Sequence, residues 1–394
     1  ELYKGSKYWV PPIINQEMNN FNKDLNPNLQ DSKVELFLAY QDKKVVGRIA
    51  VIINWFEVKK QKTSKIRFGW FDFIDNYEVS DILFKKVIWN KNIELRANLE
   101  NFILQLVCMK QIKDLIDLIT LDKVGENIFK GENFQTPWGR VFGGQVLAQS
   151  LNAAYQTVPD DRYAHSMHGY FILGGNLDLP ITYEVDIIRD GKSFTTRRVV
   201  AFQEGRAIFN MSASFQLQQK GVNHQFAMPN LIPPEKLLSD LEQLEVQKIA
   251  PKIYNRFKKI KPEVIEFRPL EKLNLDNAID EPAESNFWLR SKEKTPFEMP
   301  IQHQLLAYIS DYGLLRTATL PHRNELSVGN TFFASLDHAL WFHRDFSFDK
   351  WLLYSTDSPS ASNARGFARG SIYDQNGLLI ASTAQEGLIR QIIS

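Results

Sequence analysis

One acidic residue stands out as a chemical candidate. Asp311 interrupts an apolar run from Leu305 to Leu315 whose spacing predicts a helix from about His303 to Leu314. A carboxylate among apolar neighbours is costly unless it is paired or used, and a used one can take a proton from water. The seven histidines include His338 and His343, five residues apart. A metal between them would need a further ligand. Asp337 is the nearest, but consecutive strand residues point to opposite faces, so His338 is expected to pack against Trp341 and no metal is expected. Cys108 is the only cysteine, which excludes an intrachain disulfide or a cysteine-rich zinc site; it is expected to be an inert core thiol. The chain has no Gly-x-Ser-x-Gly elbow, phosphate-binding Walker loop, dinucleotide glycine fingerprint or His-Glu-x-x-His, so serine-nucleophile chemistry is not expected.

The elements around Asp311 repeat. In the first copy a helix is predicted from about Gly144 to Tyr155, followed by His168, Tyr183, Arg198 and Gly205. In the second, the helix carrying Asp311 is followed by His338, Tyr354, Arg369 and Gly377. The His-to-Arg intervals differ by one residue and the order is the same. Ile181, Tyr183, Val185 and Ile187 alternate with polar neighbours, as do Phe209, Met211, Ala213 and Phe215, so each such strand buries one face. Asp190-Gly191, Glu204-Gly205 and Asn376-Gly377 suit tight hairpins. Leu147, Leu151 and Ala154 form one stripe of the first helix, with small Ala148 and Ala153 beside it, so a curved sheet can wrap it closely. A helix followed by an antiparallel meander, twice, is an α+β double hot dog whose two sheets pair edge to edge.

The predicted organisation is residues 109–218 for the first repeat, 219–262 for a connector and 263–394 for the second repeat. The connector holds Pro229, Pro233 and Pro234 and a charged helical stretch from Glu235 to Lys252, read as a solvated face. Upstream, residues 91–108 are expected to be a helical linker, with Ile112, Leu115, Ile116 and Ile119 at helical spacing just beyond Met109. Residues 1–90 contain strand-like runs Val34 to Tyr40 and Val45 to Asn54, with a turn at Asp42 to Lys44, and an aromatic stretch Phe68 to Phe73. Through Tyr8-Trp9-Val10-Pro11-Pro12, Val34 to Ala39 and Val46-Gly47-Arg48-Ile49-Ala50 this segment resembles part of a GNAT-type acetyltransferase-like protein. The later glycine-containing loop that holds CoA pyrophosphate in such enzymes has no match, so a scaffold remnant or fusion is expected.

The 394 residues suffice for two or three cores, and 47 basic against 46 acidic residues create no field for nucleic acid. No run of eighteen apolar residues exists, so no membrane span is expected. The chain begins at Glu1 and ends Gln391-Ile392-Ile393-Ser394, unlike the peroxisomal Ser-Lys-Leu address, and a cytoplasmic setting is expected.

Six further stretches carry a resemblance. They are Val141-Phe142-Gly143-Gly144-Gln145-Val146, His165 to Phe171, Arg189 to Phe194, Ser335 to His343 with Ser360 to Gly366, and Ala381 to Gly387. With them, Met109 to Arg390 resembles the acyl-CoA thioesterase II family over essentially that family's whole length. The resemblance implies hydrolysis of medium- to long-chain acyl-CoA, without a cofactor, by a water held between an aspartate, a hydroxyl and a glutamine. These fall on Asp311, Ser335, where some members have threonine, and Gln385. Gln385 lies among small strand residues and could instead satisfy backbone groups. Gly143 and Gly144, at a helix entrance, are candidates for stabilising the oxyanion. Arg365 and Arg369 are candidates for the CoA phosphates, with surface salt bridges as the open alternative. A hot-dog hydratase or dehydratase and a non-catalytic acyl-CoA binding module share the same cavity. A homodimer or homotetramer is expected.

Overall fold

The computed structural model describes residues 32–41, 44–54 and 67–73, residue 109, and residues 111–392 save 137–138, 250–253, 255–261, 273–278, 297 and 327–329. The chain divides into two compact units, 1–107 and 108–394. In the first, β1 (Ser32–Gln41), β2 (Lys44–Asn54) and β3 (Arg67–Phe73) form an antiparallel sheet in that order. Gln41 pairs with Lys44, and Asp42 and Lys43 between them lie outside the described residues. The Tyr8 to Pro12 motif, residues 91–108 and Cys108 lie outside the described residues.

The second unit opens with α1 (Ile112–Ile119), which buries Ile112, Leu115 and Ile119. The first copy continues with β4 (Asp122–Gly125), β5 (Ile128–Gly131), α2 (Gly143–Tyr155), β6 (Arg162–Phe171), β7 (Ile181–Asp190), β8 (Phe194–Gln203) and β9 (Arg206–Leu217). The connector contributes a helix shorter than expected, α3 (Asp240–Val246). Ser239 starts it, accepting the Glu242 N–H while the Glu242 carboxylate accepts the Ser239 N–H. The second copy has β10 (Ile265–Pro269), β11 (Glu284–Ser291), α4 (Met299–Ser310), α5 (Leu314–Thr319), β12 (Thr331–Ser335), β13 (Asp337–Phe342), β14 (Leu352–Ser362), β15 (Arg365–Asp374) and β16 (Leu379–Gln391).

The sheet runs β10-β11-β14-β15-β16-β13-β6-β9-β8-β7-β5-β4, with β12 pairing β16 off this path. Its centre is the antiparallel β13–β6 pair, where Ala339 faces His168. Each copy thereby covers the other's edge, and the result is the double hot dog. α2 and α4 pack side by side against the sheet. Ala148, Ala153, Ala154 and Ala307 are fully buried there, since small side chains let helices and sheet approach closely.

Three expectations are corrected. Ile187 is 50 % exposed and does not join Ile181, Tyr183 and Val185 in the core, because β7 runs past the helix it covers. His168 and His338 are not equivalent: His168 is exposed and His338 is buried. Shared burial and the Phe171/Phe342 match put Met167 opposite His338, and a one-residue slip in register moves a strand side chain to the other face. His338 therefore does not pack on Trp341; His168 does, edge to face at 5.0 Å. Finally, α4 stops at Ser310. Gly313 adopts φ 87°, a left-handed conformation that ends the helix, and a separate helix starts at Leu314. Asp311 is the C-cap of α4, not an interior residue.

Candidate active site

Three elements bring Asp311, Ser335 and Gln385 together. Asp311 follows the last turn of α4, Ser335 ends β12, and Gln385 lies in β16, which pairs with both β12 and β13. Between those two strands Leu336 leaves the ladder but keeps its N–H on the Glu386 carbonyl at 2.9 Å, and its own carbonyl accepts the Phe171 N–H of β6. That short break turns Ser335 toward the helix end. Gln385 Nε2 donates to Ser335 Oγ at 2.7 Å, and Ser335 Oγ donates to Asp311 Oδ1 at 3.3 Å.

The Asp311 carboxyl is pushed up to about 7, chiefly because it has lost water; the Gln385 amide, the Ser335 hydroxyl and the Gly144 N–H oppose the rise by favouring the charged form. Helix ends act on it in opposite senses. The C-terminus of α4 disfavours a negative charge, whereas the N-terminus of α2, starting at Gly143, favours one. The two glycines there are needed for close approach. A Cβ on Gly143 would lie 2.6 Å from Asp311 Oδ2, and one on Gly144 would lie 2.1 Å from the Tyr308 carbonyl oxygen. So Gly143 and Gly144 do sit at the site, with the Gly144 N–H turned to the aspartate.

Asp311 and Ser335 of the polar trio line a cavity of about 480 Å³. Its walls include Phe142, Phe171, Phe209, Leu315 and Phe332, which suits an apolar chain. Arg365 and Arg369 are elsewhere. Arg365 Nε pairs with Glu386 at 2.8 Å and Arg369 Nε with Asp357 at 2.8 Å, and neither lines this cavity. The cation that does line it is Arg140, whose guanidinium donates to the Phe333 carbonyl at 2.6 Å and lies 4.9 Å over the Phe332 ring. Sequence reasoning passed over Arg140; its place just before the Val141 to Gly144 motif was the one available signal.

His338 was the other oversight. It is 1 % exposed; its Nδ1 lies 2.8 Å from Gln385 Oε1 and its Nε2 lies 2.9 Å from Ser310 Oγ. His343 turns elsewhere, to Ser382 Oγ at 2.9 Å. Among the described residues no group of three or more histidine, cysteine, aspartate or glutamate side chains is placed to hold a metal. Among them, no helix is long and apolar enough to cross a membrane.

Comparison with known proteins agrees with this architecture. Residues 134–216 match the model of the acyl-CoA thioesterase N-terminal domain, and residues 272–388 that of acyl-CoA thioesterase. The chain is 40% identical over 283 residues to acyl-CoA thioesterase 2 of Haemophilus influenzae, covering 71% of this chain and 98% of that protein. It is 39% identical over 284 residues to acyl-coenzyme A thioesterase 8 of Homo sapiens, covering 69% of this chain and 88% of the relative. Among solved structures, acyl-CoA thioesterase II TesB2 from Mycobacterium marinum superposes with a TM-score of 0.58 at 36% identity, over 70% of this chain and 97% of that one. A protein with hot dog fold from Alicyclobacillus acidocaldarius, at 19% identity and a TM-score of 0.56, shares the fold. With a full-length relative at 40% identity and the paired sheet on which such a site is built, the chain belongs to the acyl-CoA thioesterase II family and is a thioester hydrolase.

Proposed function

We propose that the chain hydrolyses medium- to long-chain acyl-CoA to fatty acid and CoA, with Asp311 as general base and Ser335 and Gln385 holding the attacking water. The observation that carries this reading is the meeting of Asp311, Ser335 and Gln385 beside an aromatic-walled cavity that Asp311 and Ser335 line. Ionised Asp311 takes a proton from water as the water oxygen bonds to the thioester carbon. The C–S bond then breaks, and the proton held by Asp311 passes to the departing CoA sulfur. A base with a pKa near neutrality is a better acceptor than an ordinary carboxylate and is still ionised in half or more of the molecules above pH 7. The carbonyl oxygen, which gains negative charge, lies toward the N-terminus of α2 at Gly143 and Gly144. Aromatic walls favour an acyl chain over a short polar acid, and Arg140, rather than the ion-paired Arg365 and Arg369, is the cation available to CoA phosphate.

Thiol release from acyl-CoAs of graded length tests the reading. Release should be fastest with medium to long chains. Binding of acyl-CoA without thiol release would reject hydrolysis in favour of a binding module, and hydration of an enoyl-CoA would favour the hydratase. We further propose that hydrolysis resides in the two repeats, 109–218 and 263–394, joined by 219–262, so that a chain starting at Met109 keeps its turnover. A cytoplasmic homodimer or homotetramer is the accompanying proposal, checked by sedimentation and by fractionation.

A further inference from the structure

We infer that His338 is a positioning residue for hydrolysis: it fixes which end of the Gln385 amide faces Ser335, and thereby sends the Ser335 proton to Asp311. This rests on Asp311 being the base.

The two ends of a glutamine amide have nearly the same shape, so packing alone does not choose between them; donors and acceptors do. Gln385 is 2 % exposed, and its Oε1 faces His338 Nδ1 at 2.8 Å while its Nε2 faces Ser335. Burial pushes the His338 imidazole down to about 4, so near neutral pH the ring has one N–H and one acceptor nitrogen. Ser310 decides which is which. If its hydroxyl proton points at Nε2, then Nδ1 carries the ring proton and donates to Gln385 Oε1. The amide N–H then donates to Ser335, and Ser335 donates to Asp311. From His338 to Ser335 every member donates once and accepts once, and the chain ends on an ionised carboxylate, which can only accept.

The opposite polarity has a cost. Ser310 Oγ is also 2.9 Å from the Ala307 carbonyl; if its proton went there, Nε2–H would donate to Ser310 and Nδ1 would need a flipped Gln385. Ser335 would then give its proton to Gln385 Oε1 and turn a lone pair toward Asp311, placing two acceptors 3.3 Å apart. That arrangement suits only a protonated Asp311. The first copy supplies an independent observation. There Met167 holds the position of His338 and Ala213, its partner across the ladder, holds the position of Gln385, so neither an imidazole nor an amide is present. A histidine appears in the copy that has an amide to orient.

The test uses the full chain and four variants: His338→Met, His338→Asn, His338→Gln and Asp311→Asn. Asparagine can place an N–H near the site of Nδ1, whereas glutamine reaches toward Ser310. Around Asp311 the other titratable groups are Tyr308 and Tyr312 beside it and Tyr354 from β14, all pushed upward by burial, and Arg140 lines the cavity. His338→Met and His338→Gln should lower kcat by about 10- to 100-fold with KM within about twofold, and should move the acid limb of the kcat profile to higher pH. His338→Asn should restore most of kcat and return the limb toward the parent. An unchanged kcat and limb in His338→Met overturns the inference. So does a fall in kcat with an unmoved limb and no advantage of asparagine over glutamine, which would mark a packing role only. If the methionine variant does not fold, the asparagine–glutamine contrast decides. Normal turnover in Asp311→Asn would instead remove the base reading, whatever His338 does.

Discussion

The two hot-dog copies use the same succession of helix and strands, yet carry opposite polar chemistry at equivalent places. Beyond the second helix stands Asp311, half-buried and raised to about 7; at the matching place in the first helix stands Asn152. Asn152 is fully occupied: its Oδ1 accepts the Leu121 N–H at 3.1 Å and the Gln156 amide at 2.8 Å, and its Nδ2 donates to Gln304 at 3.0 Å. Where Ser335 meets Gln385, the first copy has Ala164 and Ala213, neither of which carries a polar side-chain group. The helix entrances differ too. Gly143 and Gly144 admit Asp311, but His303 occupies the place matching Gly144, stacked on Phe342 at 4.2 Å and hydrogen-bonded to Tyr155 at 2.7 Å. On the proposed reading the two repeats give two frames and one site to which both contribute. The second copy brings the polar trio, and the first brings the glycine entrance and aromatic wall.

The largest effect that would sharpen this comparison is expected at Asp311. Asp311→Asn keeps shape and an acceptor but loses the base, so kcat should fall by roughly 10²- to 10⁴-fold with acyl-CoA binding retained. In the parent, kcat should rise with pH through about 7 as Asp311 loses its proton. Stability should move the other way. Because the folded pKa lies above the unfolded value near 3.8, the folded state holds the extra proton between those values, and stability declines as pH rises across that window. Asp311→Asn should flatten both slopes in rate and denaturation measurements. Adding Asn152→Asp to it should restore nothing, since the second copy's helix carries His303 where the first opens with Gly144; recovery of turnover would show that two sites are latent.

Next in size is the glycine entrance. A methyl group at residue 143 would stand 2.6 Å from Asp311 Oδ2, so Gly143→Ala must push the carboxylate or the helix aside. A displacement near 1 Å should cost about 10- to 100-fold in kcat/KM. Steady-state kinetics that find Gly143→Ala unimpaired would remove the first copy from the site. Asn152→Ala should show the reverse: a loss of about 1–3 kcal/mol in denaturant unfolding, from stranding the buried Leu121 N–H, with kcat within about twofold.

Much of the frame was legible because its signals are local. Alternation in β9, the glycine at 205 and the apolar stripe of α2 each follow from short-range periodicity. Asp311 stood out as a carboxylate in an apolar run, but its grouping with Ser335 and Gln385 was legible only through family motifs, since no spacing rule links 311, 335 and 385. What escaped depended on register. The apolar pattern from Leu305 to Leu315 runs unbroken across a helix end that only Gly313 marks. Counting from His168 to His338 put the repeat one residue out, which concealed that His338 points inward. For Arg365 and Arg369 the choice between CoA phosphate and a salt bridge stayed open, because the acidic residues that pair with them come from neighbouring strands.

The smallest effect concerns two turns of the same shape. Glu204 and Gly205 join β8 to β9 with φ of 49° and 72°, and Asn363 and Ala364 join β14 to β15 with φ of 49° and 56°. Both are two-residue hairpins that need left-handed backbone at each central residue. Asparagine tolerates this; alanine does not, because its Cβ crowds the carbonyl at a cost of about 1–2 kcal/mol. Ala364→Gly relieves that strain but gives the unfolded chain more freedom, worth about 0.4–1 kcal/mol in the other direction. The difference favours the substitution by about 0.5–1 kcal/mol. Gly205→Ala in the first copy should lose about as much. Both residues are exposed and away from the cavity, so kcat should not move in either variant. Denaturation midpoints shifting in opposite directions would show that the two copies share turn physics while differing in chemistry. A midpoint lowered by Ala364→Gly would mean that the methyl group of Ala364 stabilises its hairpin by more than the left-handed backbone costs.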